Sequence, residues 1–320
     1  MKKIALEEHF LTPNFLESTQ ADFASMDKKQ VADFISRLSD IDGERIEAMD
    51  KAGIDISVLS LTDPGVQREQ DTATAIKLAH KANDFLAEKI AKNPMRFRGF
   101  AHLAMQDPKA AAQELERCVQ EYHFVGALIN GQTNGKYLDE EQYFPFWEKV
   151  QTLDVPIFLH PGTSYSMPQS YNHRPELAGP LWGWTVETGT HALRMVFSGL
   201  FDRFPQAKII LGHMGETLPY LLWRFDSRWN ILQHEQKLKK SPSQYIKENL
   251  CVVTSGMCSN GPLLCAIAEL GEDNVMFSVD YPYESSEIAA RFIEKAPISE
   301  KVREKICYHN AIRLLKLNGA

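Results

Sequence analysis

No stretch of this chain approaches the roughly 18 consecutive apolar residues that span a bilayer, and no block of lysine and arginine exceeds a few residues. The formal net charge is −7 over 320 residues, so neither a nucleic-acid surface nor a membrane partner is expected. Cysteine is sparse: five residues, at 118, 251, 258, 265 and 307, with no C-x-x-C pair. Cys251, Cys258 and Cys265 recur at regular intervals, but their neighbours place them on a strand, in a loop and in a helix, which does not read as a structural zinc site. An odd number of thiols suits a reducing, cytoplasmic setting. The opening "MKK" is followed by Glu7, Glu8 and His9, which interrupt any signal-peptide core, so export is not expected. A Pro/Gly/Ser-rich linker and a repeat of about 20–50 residues are both missing, which leaves residues 1–320 as one expected domain. The first apolar run, "IALEEHFLTPNF", lacks the glycine-rich phosphate turn of a dinucleotide-binding sheet.

What the chain does have is a series of short β-rich runs, at 4–10, 55–61, 97–105, 124–130, 155–161, 207–215, 250–256 and 275–282. Helical patterns such as "ATAIKLAHKANDFLAEKIAK" and "DPKAAAQELERCVQEY" lie between most of them, with apolar residues three and four apart. Eight strands alternating with helices predict a parallel sheet closed into a (β/α)8 TIM barrel. Two segments are long for routine connections: 11–43, before the first barrel helix, and 162–185, after the fifth strand. Long loops of this type sit at the catalytic face, and both are expected to act there as lids.

The first run carries Glu7 and His9, which are two apart and so share a face of the strand. His160 ends the fifth run, in "FLHPG"; His213 ends the sixth, in "LGHMGE", with Glu216 three residues on; Asp280 closes the eighth, in "FSVDYPYE". A barrel gathers strand ends at one mouth, and such carboxylates and imidazoles together suit a borderline ion such as Zn²⁺ or Mn²⁺. Each has a plainer reading by itself: Glu216 as support for a helix N-terminus, Asp280 as a turn residue. His102 and His191 read as hydrogen-bonded core histidines. Trp182, Trp184, Tyr281 and Tyr283 are candidate walls of a flat pocket or simply loop packing.

The E-x-H, the H-P, the G-H-M-G-E and the S-x-D-x-P together resemble the amidohydrolase superfamily. Within it they resemble the metal-dependent non-oxidative decarboxylases, especially those of 2,6-dihydroxybenzoate type. The similarity continues through "VGALINGQ", "HALRMVFSGLFDRFP" and "LGHMGETLPYLLWRFD". The resemblance implies one divalent ion, Zn²⁺ or Mn²⁺, on Glu7, His9, His160 and Asp280, with His213 and Glu216 as a catalytic pair beside it. It also implies substrate positions at Asn130 and Arg224, an aromatic cover at Phe23, and a homodimer or homotetramer. The alternative for Arg224 is an ion pair with Asp226 or Glu216. Related decarboxylases often carry Arg where this chain has Gly162, and the lid "SYSMPQSYNHRPELAG" is its own, so the substrate's other ring groups stay open.

Two reactions compete, because a fold does not fix a chemistry. A metal-dependent hydrolase of a cyclic ester or amide would use a strand-8 aspartate to activate water. Such hydrolases typically begin H-x-H, and the two-metal ones add a strand-4 lysine; this chain has E-x-H and no lysine in "FVGALIN". The expected activity is therefore decarboxylation of an ortho-hydroxylated aromatic acid, with Asp280 donating a proton to the ring carbon. His213, oriented by Glu216, would handle the phenolic proton. A metal-binding relative without catalytic power is a third reading.

Overall fold

The computed structural model describes residues 1–22 and 27–317. Its strands are β1 (Ile4–Phe10), β2 (Ile56–Leu61), β3 (Phe97–Gly99), β4 (Ala127–Asn130), β5 (Ile157–His160), β6 (Ile209–Leu211), β7 (Leu250–Val253) and β8 (Val275–Met276). All neighbouring pairs are parallel, in two ladders, β1-β2-β3 and β4 to β8 in chain order. Parallel bridges Ala101↔Ala127 and Glu8↔Tyr281 join the ladders at both seams. The result is the predicted (β/α)8 barrel.

Each expected run contains a strand, but the third and eighth shrink to their first residues. At these places side chains join the remaining backbone bonds. Across the β1–β8 seam, Leu6 N and Glu7 N donate to Ser278 Oγ at 3.1 and 2.6 Å, and Val279 N donates to Glu8 Oε1 at 3.0 Å. Beyond β3, His102 N donates to Asn83 Oδ1 at 2.8 Å, and Leu61 N donates to His102 Nε2 at 2.6 Å. These buried amides thus keep their partners, as burial demands, without regular strand geometry.

The helices follow from local signals. Asp71 caps Thr72–Lys92 by accepting from Thr74 N, and Asp107 caps Pro108–Glu121 by accepting from Lys109 N and Ala110 N. The first buries Ala75, Ala79, Ala82 and Leu86, a stripe at helical spacing. The barrel interior is filled by Ile4, Leu6, Ile56, Val58, Phe100, Leu128, Phe158, Ile210 and Val253, against Ala311 and Leu315 of the last helix, Asn310–Leu315. A packed interior closed at that end leaves the C-terminal ends of the strands as the place for a site. The two long segments follow the first and fifth strands in sequence. Residues 11–43 contain helices Leu16–Asp22 and Lys28–Ser39, and 162–185 form two short turns, Gln169–Tyr171 and Pro175–Leu177, before helix Gly183–Phe197. Among the described residues no helix is long and apolar enough to cross a membrane.

Candidate metal centre

The β1 register explains why the first strand tolerates Glu7 and His9. Ala5 pairs with Ser57 and Glu8 with Leu59, so Leu6 and Glu7 together oppose the single residue Val58. This extra residue is a β-bulge, which re-aims side chains at sheet seams and sites. Leu6 packs into the barrel interior; Glu7 and His9 follow it inward, while Glu8 turns to the seam and Ser278.

Ligand-type atoms of Glu7, His9 and His160, all buried, lie within 4.8 Å of one another. His160 Nε2 is 3.4 Å from Glu7 Oε1, and His9 Nε2 is 3.2 Å from Asp280 Oδ1. The backs of the rings are fixed: His160 Nδ1 donates to the Pro161 carbonyl at 2.8 Å, and His9 Nδ1 lies 3.3 Å from Ser60 Oγ. Both Nε2 atoms therefore face the cluster. Glu7 Oε2 accepts from Ser255 Oγ, yet Glu7 Oε1 and His9 Nε2 are buried without any hydrogen-bond partner. Orphaned acceptors converging in a dry site cost free energy unless something occupies the space between them. Two carboxylates and two imidazoles fit a divalent cation.

Beside this cluster, His213 Nδ1 donates to Glu216 Oε1 at 2.7 Å, and His213 Nε2 lies 3.7 Å from Asp280 Oδ2. Non-glycine residues His213, Met214, Glu216, Thr217 and Asp280 all adopt positive φ, a cost that tends to be retained where a site needs particular directions.

Charges divide unevenly across the site. Burial pushes Glu7 up to about 7, with Asp280 adding repulsion and His213 opposing. Burial also works to raise Asp280, but the His213 and His9 imidazoles beside it outweigh that and hold this carboxyl well below its usual range. Burial and His9 hold His160 well below an ordinary imidazole. For His213, burial is overcome by Glu216 and Glu7, which push it well above.

The other expected residues divide. Asn130 ends β4 beside His160 in register, and both its amide Oδ1 and Nδ2 are buried without partners. Trp184 faces His160 with ring centroids 6.4 Å apart, and Tyr283 lies 5.7 Å from His9; Trp182 is largely exposed. His102 and His191 are core histidines, each accepting a backbone N–H. Phe23 lies outside the described residues. Arg224 stands exposed on helix Leu222–Trp229, without a contact to the cluster within the chain. Leu222 is that helix's buried residue, and two steps of about 100° turn Arg224 to the far side. Its alternative pairings fail too, since Asp226 is engaged by Ser243 and Glu216 by His213.

The model of the family described as "Amidohydrolase" matches residues 35–317. The chain belongs to the amidohydrolase family. It is 48% identical to "Gamma-resorcylate decarboxylase" of Polaromonas sp. (strain JS666), over 99% of both chains. A solved 2,6-dihydroxybenzoate decarboxylase in complex with 2,6-dihydroxybenzoate matches it with a TM-score of 0.93 at 43% identity, over 99% of each chain. The dihydroxybenzoic acid decarboxylase of Polaromonas sp. JS666, with bound manganese and the inhibitor 2-nitroresorcinol, also has a TM-score of 0.93. It is 47% identical, over 100% of this chain and 98% of that one.

Sequence reasoning in this family member missed Ser255, which holds Glu7, and Gly212, whose lack of a side chain makes room for the same carboxylate. It also missed Arg45, buried on helix Glu44–Ala52, whose guanidinium donates to the His9 carbonyl and lies over the Tyr281 ring at 4.6 Å. Serine and glycine at strand ends are too common to signal such roles, and a lone arginine in a helical pattern reads as surface.

Proposed function

We propose that this chain is a metal-dependent, non-oxidative decarboxylase of an ortho-hydroxylated aromatic acid, of which 2,6-dihydroxybenzoate is the first candidate. The observation that carries the reading is the inward cluster of Glu7, His9 and His160, with Asp280 and the His213–Glu216 pair at its edge. Relatives so similar over nearly their full length support the activity and substrate class. We assign Glu7, His9, His160 and Asp280 as ligands. Mn²⁺ is favoured over Zn²⁺ by the two carboxylates and by the manganese of a close structural neighbour. A divalent ion held there would gather a substrate carboxylate with its neighbouring phenolic oxygen and offset their charge.

The chain's own residues supply the proton chemistry. Asp280 is ionised in the free protein, and His213 Nε2, 3.7 Å from Oδ2, is the nearest proton store. The carboxyl of Asp280 passes that proton to the ring carbon bearing the carboxylate. The bond from this carbon to the carboxylate carbon then breaks, CO2 departs, and its electron pair restores the aromatic ring. Glu216 fixes the His213 ring through Nδ1, so Nε2 stays aimed at Asp280 and the phenolic oxygen. Trp184 and Tyr283 flank the imidazoles and limit the water that could compete for the proton. Residues 1–320 serve as one catalytic domain in this reading. A homodimer or homotetramer is supported by the exposed apolar residues Tyr220, Trp223, Ile231 and Leu232, and five free cysteines suit the cytoplasm.

The test is CO2 release from a panel of ortho-hydroxybenzoates by Mn²⁺- and Zn²⁺-loaded protein. Release should require the ortho hydroxyl and stop with chelator. Metal retention with no release from any acid, and cleavage of lactones or cyclic amides instead, would replace this reading with hydrolysis.

A further inference from the structure

Glu7, His9, His160 and Asp280 account for the carboxylate and one ortho oxygen of such a substrate, and leave its other ortho position unassigned. Two neighbouring groups have unmet hydrogen-bonding capacity. The amide of Asn130 is buried with neither Oδ1 nor Nδ2 partnered. Asp63, in the turn after β2, is the second. Burial alone pushes its carboxyl up to about 7, with no bond or cation to offset that burial, while the residue stays only partly shielded from solvent.

The turn holding Asp63 is fixed from both sides. Thr62, just before it, shares a hydrogen bond with the Tyr283 hydroxyl, and the Tyr283 ring neighbours His9. Gly65, just after it, has φ +52, and a Cβ there would come 2.8 Å from Asn130 Nδ2. Only glycine tolerates both that dihedral and that approach. Gln67 adds a contact, its Oε1 lying 3.4 Å from Asn130 N. The segment thus runs from the His9 side of the mouth to the Asn130 side, with Asp63 between.

We propose that Asp63, with Asn130, reads the second ortho-hydroxyl of the substrate; this rests on the substrate class proposed above. The hydroxyl donates to the Asp63 carboxylate and accepts from Asn130 Nδ2–H. An acid lacking that hydroxyl leaves both groups unpaired, and discrimination by an unpaired buried group is stronger than discrimination by size. Asp63 is in this scheme a specificity residue with no part in the proton transfer.

The experiment uses inhibitors that cannot lose CO2, so binding is read apart from turnover. Mn²⁺-loaded wild type, Asp63→Asn and Asp63→Ser are titrated calorimetrically with 2-nitroresorcinol, which has two ortho hydroxyls, and with 2-nitrophenol, which has one. Wild type should favour 2-nitroresorcinol by roughly tenfold to a hundredfold, the range of one charge-assisted hydrogen bond. Both variants should lose most of that preference while binding 2-nitrophenol within about twofold of wild type. Equal binding of the two compounds by wild type, an unchanged preference in the variants, or an equal loss for both compounds would each overturn the assignment. Failure of the decarboxylase reading would show separately, as absent CO2 release from 2,6-dihydroxybenzoate by a wild type whose binding preference is intact.

Discussion

Replacing Gly212 by alanine adds one methyl group next to the metal cluster and alters no polar atom. Gly212 has φ −66 and ψ −177, a conformation open to any residue, so no backbone strain follows. The added Cβ would stand 2.8 Å from Glu7 Oε2 and 3.1 Å from Oε1. Contacts of this type relax to about 3.3 Å, so the carboxylate must retreat by about half an ångström, more than the roughly 0.2 Å tolerance of a metal–ligand distance. It cannot retreat freely, because Ser255 holds Oε2 and the residue is fully buried. The fold should lose about 1–2 kcal/mol from overpacking. Affinity for Mn²⁺ should fall about tenfold to a hundredfold, as when a group that orients a ligand is disturbed. The assay is Mn²⁺ titration by electron paramagnetic resonance on wild type and Gly212→Ala, with thermal melting in parallel. Gly261→Ala is the control, since a Cβ there meets nothing within 4 Å. Unchanged Mn²⁺ affinity in a folded Gly212→Ala protein would remove Glu7 from the ligand set.

Three further outcomes are expected. Asp280→Asn should lower CO2 release by at least about a hundredfold, the lower range for general acid catalysis, in protein whose metal content is measured alongside; substantial remaining turnover would refute the proton-donor role. Asn130→Ala removes a buried amide with no partners, so the melting temperature should hold within a few degrees while affinity for the aromatic acid falls about tenfold; a large loss of stability instead would make Asn130 structural. His191 is held neutral by burial down to about 3 and regains its ordinary affinity when unfolded. The unfolded chain therefore binds the extra proton, so this contribution to stability is complete above pH ~6.5 and drains as pH falls towards 3, at up to about 1.4 kcal/mol per unit. His191→Gln, which keeps an acceptor for Leu138 N, should flatten denaturation midpoints between pH 6 and pH 4; an equally steep decline would refute the assignment.

The part of the site legible in the sequence is the part set by periodicity. Glu7 and His9 share a face because they are two apart, and His160 and Asn130 stand at strand ends that pair in register. What escaped depends on departures from periodicity. Strict alternation from Leu6 would send Glu7 outward, and the bulge opposite Val58 turns both inward. The β1–β8 seam closes through Ser278 and Glu8 side chains as well as through backbone bonds of Glu7 and His9 to Asp280 and Tyr281, so the eighth strand is far shorter than its β-rich run. Arg224 matches a substrate position by resemblance, and the phase of its helix relative to buried Leu222 leaves it exposed on the chain's surface.

Glu8 shows how the same seam couples fold to chemistry. Burial pushes its carboxyl up to about 8, with Val279 N–H and Arg45 drawing it back. Its Oε1 accepts from Val279 N, the residue before Asp280, while Asp280 N donates to the Glu7 carbonyl at 3.0 Å. Arg45 holds the His9 carbonyl on the same strand. The backbone that carries Glu7 and His9 is thereby bonded directly to the backbone that carries Asp280. Three of the four assigned ligands thus come from one hydrogen-bonded seam, and only His160 reaches the cluster from elsewhere in the barrel. A divalent ion at this position would bind across the closure of the barrel itself, so ion and closure should stabilise each other.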